Sequence, residues 1–167
     1  MSIDVFIFRI ILKDKLFNPQ DFGDVDTLHL HHFVDASQTG YRVVYHLHAV
    51  SVDGKIDYTL VMERARVIRL KRATILRLEL TAAVVAAQMN SKLKTELDLK
   101  LIPSVFWTDS TSVLKYLGDL TARYQTFVDN RVNLIRDASD AMALRYINTN
   151  ANSADLTSRG LSIGDFH

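Results

Sequence analysis

The stretch SVFWTDSTSVLKYL, residues 104–117, joins an apolar run to a carboxylate and then to a second apolar pattern. Val105, Phe106 and Trp107 predict a buried strand, and Asp109 follows that strand directly. Asp, Ser and Thr are common helix N-caps, so Asp109 could simply begin the next helix. The carboxyl end of a strand is also where open α/β sheets bind their ligands. The rest of the sequence has to distinguish a capping role from a chemical one.

Length and composition indicate an ordinary globular domain. The chain has 167 residues, of which 48% are hydrophobic and 23% charged, with a net charge of +1 and no cysteine. Disulfides and thiolate metal sites are therefore excluded. The apolar stretch at residues 1–12 carries Asp4 and Arg9 and is a poor signal peptide, and no run has the length of a membrane span. We expect an intracellular protein, cytoplasmic or nuclear, with no membrane partner.

Three segments predict an antiparallel meander, because each is rich in β-branched and aromatic residues. They are LHLHHFVDAS, whose strand runs from Leu28 to Asp35, YRVVYHLHAV at residues 41–50, and YTLVMERARVI at residues 58–68. The pair Asp53–Gly54 signals a turn between the second and third segments.

The hydrophobic period then changes to that of a helix. Leu76, Leu80 and Ala83 recur at helical spacing within residues 73–97, and Thr74 is placed to cap the start. The following pattern predicts a strand up to Asp109, two helices divided by Gly118–Asp119, a strand at 141–149, and a short helix that ends at Gly160. This order predicts an α/β fold with one mixed sheet and helices on its faces.

Four carboxylates stand at the junctions of these elements. Asp35 ends the first strand and Asp109 the fourth, Glu79 lies in the first turns of the long helix, and Asp155 lies near the start of the last helix. Glu79 has apolar neighbours, and a buried Glu is costly unless it is paired or bound to a cation. Each acid also has an ordinary explanation. Asp35 could form an Asx-turn, and Asp109 could be only a helix cap. Glu79 could be exposed or paired with an arginine, and Asp155 could favour the positive end of a helix dipole.

Together the four acids predict a metal site. Asp35 and Asp109 end strands that are neighbours in the predicted sheet, and the helix of Glu79 would pack over them. Carboxylates in one pocket repel unless they bind protons or cations, and oxygen ligands without cysteine favour Mg²⁺ or Mn²⁺. Paired ions of this kind serve phosphoryl displacement. A metal-binding His29–His31 pair is a weaker alternative, since exposed polar positions on a strand explain it more simply.

A basic stretch begins in the third predicted strand and continues beyond its end. It contains no acid and carries Arg64, Arg66, Arg69, Lys71, Arg72 and Arg77. Such a run predicts either a local electropositive surface or a solvated strand end and loop.

Four motifs in this order, LHHFVDAS, RLELTAA, FWTDSTSVL and SADLTSRG, resemble the ribonuclease H-like domain of Pao/BEL-type retrotransposon polyproteins. The resemblance implies a ribonuclease H-like fold with a five-stranded mixed sheet, its first three strands antiparallel and helices on both faces. We expect a linker at residues 1–27, the domain at 28–163 and a tail at 164–167. In such polyproteins the domain lies between reverse transcriptase and integrase modules, which are the expected partners, and the chain looks like a module excised from that arrangement.

The same resemblance implies an Asp-Glu-Asp-Asp site formed by Asp35, Glu79, Asp109 and Asp155, with two Mg²⁺ or Mn²⁺ ions as cofactors. The implied activity is endonucleolytic hydrolysis of the RNA strand of RNA:DNA hybrids. Ser37 and Ser110 are candidate contacts to the nucleic-acid backbone, although turn and cap roles also explain them. The six basic residues between Arg64 and Arg77 are expected to bind phosphates.

The chain departs from this family pattern at several positions. Arg42 stands where a small Gly is usual and Leu76 where Pro is usual, and Asn150 lies near the place of a loop His in many ribonucleases H. The four acids are retained, so we expect an enzyme. The alternatives are a catalytically inactive nucleic-acid-binding or protein-binding module, and another nuclease or integrase-like activity on the same fold.

Overall fold

The computed structural model describes residues 22–38, 40–67, 74–97, 104–138 and 144–156. The elements in chain order are β1 Val25–Ser37, β2 Gly40–Ser51, β3 Ile56–Val67, α1 Ile75–Leu97, β4 Val105–Thr108, α2 Thr111–Gly118, α3 Thr126–Ala138, β5 Leu144–Tyr146, a 3₁₀ turn Thr149–Ala151 and α4 Ser153–Leu156. The apolar stretch at residues 1–12 and the helix end predicted at Gly160 lie outside the described residues.

The strands form a five-stranded sheet in the order β3-β2-β1-β4-β5. Its first three strands are antiparallel, whereas β1 pairs with β4, and β4 with β5, in parallel. Helices pack against this mixed sheet, so the predicted architecture is confirmed. The central position of β1, between antiparallel and parallel neighbours, places its carboxyl end beside that of β4.

β1 is longer than the sequence pattern predicts, because its pairing with β2 continues past Asp35 to Ser37. The prediction that the strand stops at Asp35 is therefore wrong by two residues, and Asp35 lies opposite Arg42 within the ladder. Gly40 begins β2 directly after this point, where a Cβ would collide with the Arg66 carbonyl of β3. At its other end β1 starts at Val25, inside the predicted linker.

Alternate residues of β1 face opposite sides of the sheet, as in any strand. One side carries most of the hydrophobic core, in which α1 packs through small alanines against larger residues of the strands. The buried residues of this cluster are Leu28, Leu30, Val34, Val43, Tyr45, Leu47, Ala49, Val61, Ala82, Ala86, Ala87, Leu93 and Phe106. The small side chains of α1 let the helix approach the sheet closely, which brings its first turns near the end of β1.

A second apolar cluster joins α1 to α2 and α3. Its buried residues are Leu80, Ala83, Val113, Leu117, Val132 and Ile135. At the start of α1 the amide of Arg77 donates to Thr74 Oγ1 at 3.3 Å, which confirms the predicted cap. Within the described residues, no helix combines the length and the apolar character needed to cross a membrane.

A buried polar network crosses the main core. His32 is 0% exposed, and its Nε2 lies 3.0 Å from Asn90 Oδ1, which also accepts a 2.6 Å bond from Ser104 Oγ. Because an amide oxygen only accepts, the His32 ring donates through Nε2. In the neutral ring the other nitrogen, Nδ1, therefore carries no proton. The ring also stacks on Phe106, with centroids 4.4 Å apart. Burial lowers the pKa of His32 from 6.5 to about 3.

This burial predicts a loss of stability in acid. Between pH 6.5 and about 3, His32 is protonated in the unfolded state but not in the folded state. The free energy of unfolding therefore falls as the pH falls. We expect His32→Gln, which keeps a donor for Asn90, to reduce that slope by about 1.4 kcal/mol per pH unit below pH ~6. Urea denaturation from pH 7 to 4.5 measures both slopes.

Phe106→Leu is the matched control, since it loosens the same stack without removing a titrating group. Its stability curve should run parallel to that of the unmodified chain at a lower level. Because the pKa of Asp35 is raised in the folded state, this residue gives the pH dependence of stability a slope of opposite sign below pH ~6. The contribution is the same in all three proteins and cancels from the comparison. Parallel curves for His32→Gln and the unmodified chain would contradict the buried neutral histidine.

Candidate active site

The parallel register of β1 and β4 brings two of the candidate acids together. Val34 pairs with Thr108, and Asp35 and Asp109 are the next residues along the chain, Asp109 directly after the end of β4. The two carboxylates therefore stand at the same end of adjacent parallel strands. This is the position at which α/β sheets present ligand-binding groups.

Asp35 shows the electrostatic character of this sheet end. Its side chain is half-buried, and its pKa is raised from 3.8 to about 6, first by burial and then by the negative charges of Asp109 and Asp155. A hydrogen bond from the Ala36 amide and the charge of Arg42 act in the opposite direction but are weaker. Two of the other predicted acids, Asp109 and Asp155, thus lie near enough to Asp35 for their charges to raise its pKa.

Asp109 is oriented by the segment that follows β5. β5 pairs in parallel with β4, and the Ile147 amide donates to the Thr108 carbonyl at 3.0 Å. The chain then turns over the sheet end, where Thr149 Oγ1 donates to Asp109 Oδ2 at 2.9 Å. Thr149 was not predicted as a site residue, because the bond depends on a contact between residues 40 positions apart.

Glu79 approaches the same region from α1. Its Oε2 accepts a 2.7 Å hydrogen bond from Ser110 Oγ, and Ser110 follows Asp109 directly. Ser110 is also the N-cap of α2, where its Oγ accepts from the Val113 amide at 3.2 Å. The cap of α2 is therefore Ser110, which leaves the Asp109 carboxylate for another role. Since Ser110 is 6% exposed, a direct contact with nucleic acid stays a prediction.

Asp155 lies in α4, a short helix that contacts β1 and β2. Its amide donates to the Asn152 carbonyl at 2.9 Å, and Asn152 Nδ2 donates to the Val34 carbonyl at 2.9 Å. Asn152 was missed by the sequence analysis. The only local signal for it is Asn just before a short helix, which is typical of an ordinary N-cap.

The predicted phosphate-binding residues have several different surroundings. Arg64 and Arg66 are exposed on β3, and Ser37 is exposed at the end of β1. Arg77 is exposed on α1, with its guanidinium 4.6 Å from the Phe127 ring centre; Arg131 lies at 3.4 Å from the same centre. Three further predicted residues, Arg69, Lys71 and Arg72, lie outside the described residues.

The sheet face opposite α1 carries the other histidines. His29 pairs with His48 and His31 with His46, and the ring centres of His31 and His48 lie 5.2 Å apart. His31 is buried rather than exposed as expected, and its Nδ1 accepts from Trp107 Nε1 at 3.3 Å. Burial is the main reason why the pKa of His31 falls to about 4. These contacts indicate a packed aromatic layer.

The donor chemistry of the candidate site fits a hard divalent cation. Carboxylate oxygens are the ligands that Mg²⁺ and Mn²⁺ prefer, and the mutual repulsion at Asp35 would be relieved by positive charge. In this arrangement, however, no group of three or more His, Asp or Glu side chains among the described residues is placed to hold a metal ion. Asp35, Glu79, Asp109 and Asp155 therefore stay the predicted ligands.

The sheet order, the parallel β1–β4 pair and the helices packed on the sheet define a ribonuclease H-like domain. The family model described as "Pao retrotransposon-like RNaseH-like domain" matches residues 12–110, and the chain belongs to this family. The matched residues include Asp35, Glu79 and Asp109, whereas Asp155 lies beyond them.

Solved structures agree with this fold. The N-terminal RNase H domain of Rv2228c from Mycobacterium tuberculosis, fused to maltose-binding protein, superposes with a TM-score of 0.52 at 14% identity, covering 78% of this chain and 90% of that one. RNase H1 from Halobacterium salinarum NRC-1 gives 0.48 at 16% identity, covering 80% and 99%. We base the shared fold on the first of these. No curated protein sequence matches the chain significantly.

The shared field of the carboxylates is directly testable by titration. We expect the Asp35 carboxyl to titrate near pH 6, as followed by its ¹³C resonance. Asp155→Asn should lower that pKa, because it removes one of the negative charges that oppose ionisation of Asp35. Arg42→Gln should raise the pKa, because it removes a favourable positive charge.

Asp137→Asn provides the control, since Asp137 is exposed on α3 and is not among the charges that shift Asp35. This variant should leave the titration unchanged. An Asp35 pKa near its ordinary 3.8, or one insensitive to Asp155→Asn, would show that the acids do not share a site.

Proposed function

We propose that this domain hydrolyses the RNA strand of RNA:DNA hybrids with the help of two divalent cations, Mg²⁺ or Mn²⁺. The observation that carries the proposal is the placement of Asp35 and Asp109 at the same end of two parallel strands, where burial and the charges of Asp109 and Asp155 also raise the pKa of Asp35. Membership of a ribonuclease H-like family makes phosphodiester hydrolysis the reaction most consistent with such a cluster.

The ligands would be the carboxylates of Asp35, Glu79, Asp109 and Asp155. When bound, the ions supply Lewis-acid activation of the attacking water and neutralise the charge that develops on the phosphate. The protein's own hydroxyl groups orient these ligands: Ser110 Oγ donates to Glu79, and Thr149 Oγ1 donates to Asp109. Such outer partners hold a ligand in place and adjust its basicity.

The substrate class follows from the resemblance to retrotransposon domains, because reverse transcription produces RNA:DNA hybrids. Arg64 and Arg66 on β3 and Arg77 on α1 are exposed cations that could bind backbone phosphates without reading sequence. Ser37, exposed at the end of β1 two residues after Asp35, is the proposed contact to a sugar or a phosphate. Reverse transcriptase and integrase modules as partners, and an intracellular location, belong to the same proposal.

A non-catalytic descendant that binds nucleic acid or protein is the second candidate. It is favoured by the finding that no group of three His, Asp or Glu side chains in the described ranges is placed to hold a metal ion. Both functions predict hybrid binding that weakens as salt is raised, but only the first predicts cleavage of the RNA strand.

We expect the chain to cut an end-labelled RNA strand paired with DNA in the presence of Mn²⁺ or Mg²⁺, and to leave duplex DNA intact. Asp109→Asn should lower the rate by more than about a hundredfold, because it removes a ligand charge at the reacting phosphate. Asp137→Asn, an exposed acid on α3, should keep full activity. Gel analysis of the products under single-turnover conditions measures all three rates.

Equal rates in the unmodified chain and Asp109→Asn would assign the cleavage to a contaminant and contradict the proposal. Hybrid binding that weakens with salt, without any cleavage, would support the binding module instead. Cleavage of duplex DNA would indicate a different nuclease activity on the same fold.

A further inference from the structure

Asn152 links the last helix to the centre of the sheet. The residue is 0% exposed, and its Nδ2 donates a 2.9 Å hydrogen bond to the Val34 carbonyl, 118 residues away in sequence. Val34 immediately precedes Asp35 on β1. A buried side-chain donor is thus tied to the backbone beside one candidate metal ligand.

The same residue also organises the segment that carries another ligand. Asn152 Oδ1 accepts from the Ala154 amide at 3.2 Å, and the Asn152 carbonyl accepts from the Asp155 amide at 2.9 Å. On the other side, the Asn152 amide donates to the Thr149 carbonyl at 3.1 Å. Because the hydroxyl of Thr149 bonds Asp109, Asn152 lies at the centre of a network that reaches three of the four acids.

An ordinary N-cap explains only part of this arrangement. A cap needs a side-chain acceptor for an amide of the first turn, and Oδ1 provides that function. The donor bond to Val34 is additional and uses a second atom, Nδ2. Ionised aspartate has no donor, and serine has a single oxygen on a shorter side chain, so neither reproduces both bonds of the amide. The described residues of α4, Ser153–Leu156, contact β1 and β2, and the Asn152–Val34 bond fastens the start of this segment to β1.

We propose that Asn152 is a positioning residue, which ties α4 to β1 and so holds Asp155 beside Asp35. Its effect on cleavage rests on the function proposed above, but its effect on the placement of Asp155 does not. Replacement of a residue that orients a ligand typically weakens metal binding by about 10- to 100-fold.

The decisive variant is Asn152→Ser, which preserves a good N-cap acceptor and removes the bond to Val34. In the full chain without nucleic acid, we expect Mn²⁺ affinity, measured by calorimetry, to fall about 10- to 100-fold. Hydrogen exchange at the Asp155 amide should become faster, whereas hybrid affinity in EDTA should stay unchanged. The cleavage rate at limiting Mn²⁺ should fall and recover in part when Mn²⁺ is raised.

Asn148→Ser is the matched control. Asn148 is exposed and caps the preceding 3₁₀ turn, where its Oδ1 accepts from the Asn150 amide at 3.0 Å. The substitution is chemically the same and lies four residues away, so Mn²⁺ affinity and Asp155 exchange should match the unmodified chain. A second test variant, Asn152→Asp, retains the size and the cap acceptor if the serine variant fails to fold. It should also bind Mn²⁺ more weakly at pH 8, despite its added negative charge.

The outcomes separate the two proposals. If the unmodified chain binds no Mn²⁺ and does not cut hybrids, the proposed function fails, and faster exchange of the Asp155 amide in Asn152→Ser would still establish the positioning role. If the folded Asn152 variants bind Mn²⁺ as tightly as the unmodified chain, and the Asp155 amide exchanges at the same rate, the positioning role is refuted.

Discussion

The parallel pairing of β1 with β4 is the constraint on which the candidate site depends. Two segments far apart in sequence align so that Val34 lies beside Thr108, and this register places Asp35 and Asp109 at a common end. A shift of one residue would turn one of the two carboxylates to the other face of the sheet. The buried side chains of Val34, Phe106 and Thr108 oppose such a shift, because they would become exposed.

Burying Asp35 and placing like charges near it has a free-energy cost, which appears as the raised pKa of this carboxyl group. The surrounding residues lower that cost without removing the charges. The hydroxyl groups of Ser110 and Thr149 donate to Glu79 and Asp109, and Arg42 contributes a positive charge although it is also bonded to Glu63 at 3.0 Å. Arg42 lies opposite Asp35 in the ladder and so places a cation at the site end of β2. A site that is repulsive without cations is predisposed to bind them.

Local sequence patterns were sufficient to predict the type and order of the regular elements. The helical spacing of Leu76, Leu80 and Ala83, with Thr74 before them, predicts α1 with its cap. The turn at Asp53–Gly54 is confirmed by the positive φ of 79° at Gly54. The order of the elements predicts the mixed sheet, and the positions of four acids at element junctions single them out. The resemblance to retrotransposon domains adds the five-stranded arrangement and the roles expected of these acids.

Features that depend on tertiary contacts could not be predicted in this way. The extension of β1 to Ser37 is set by the length of its partner β2. The bonds of Asn152 to Val34 and of Thr149 to Asp109 join residues that no local pattern connects. The burial of His32 with Asn90 is likewise a property of the packed core, since its sequence context of alternating histidines suggests polar exposure.

The most direct test of the shared carboxylate site is a crystal structure of the chain with Mn²⁺ and an RNA:DNA hybrid. Anomalous diffraction data would locate the metal. We predict anomalous peaks at the carboxyl ends of β1 and β4, within bonding distance of Asp35 and Asp109, with Glu79 and Asp155 completing the ligand shells. A map without metal at this sheet end, at Mn²⁺ concentrations that saturate cleavage, would contradict the account. So would a structure in which the carboxylates of Glu79 and Asp155 point away from the other two.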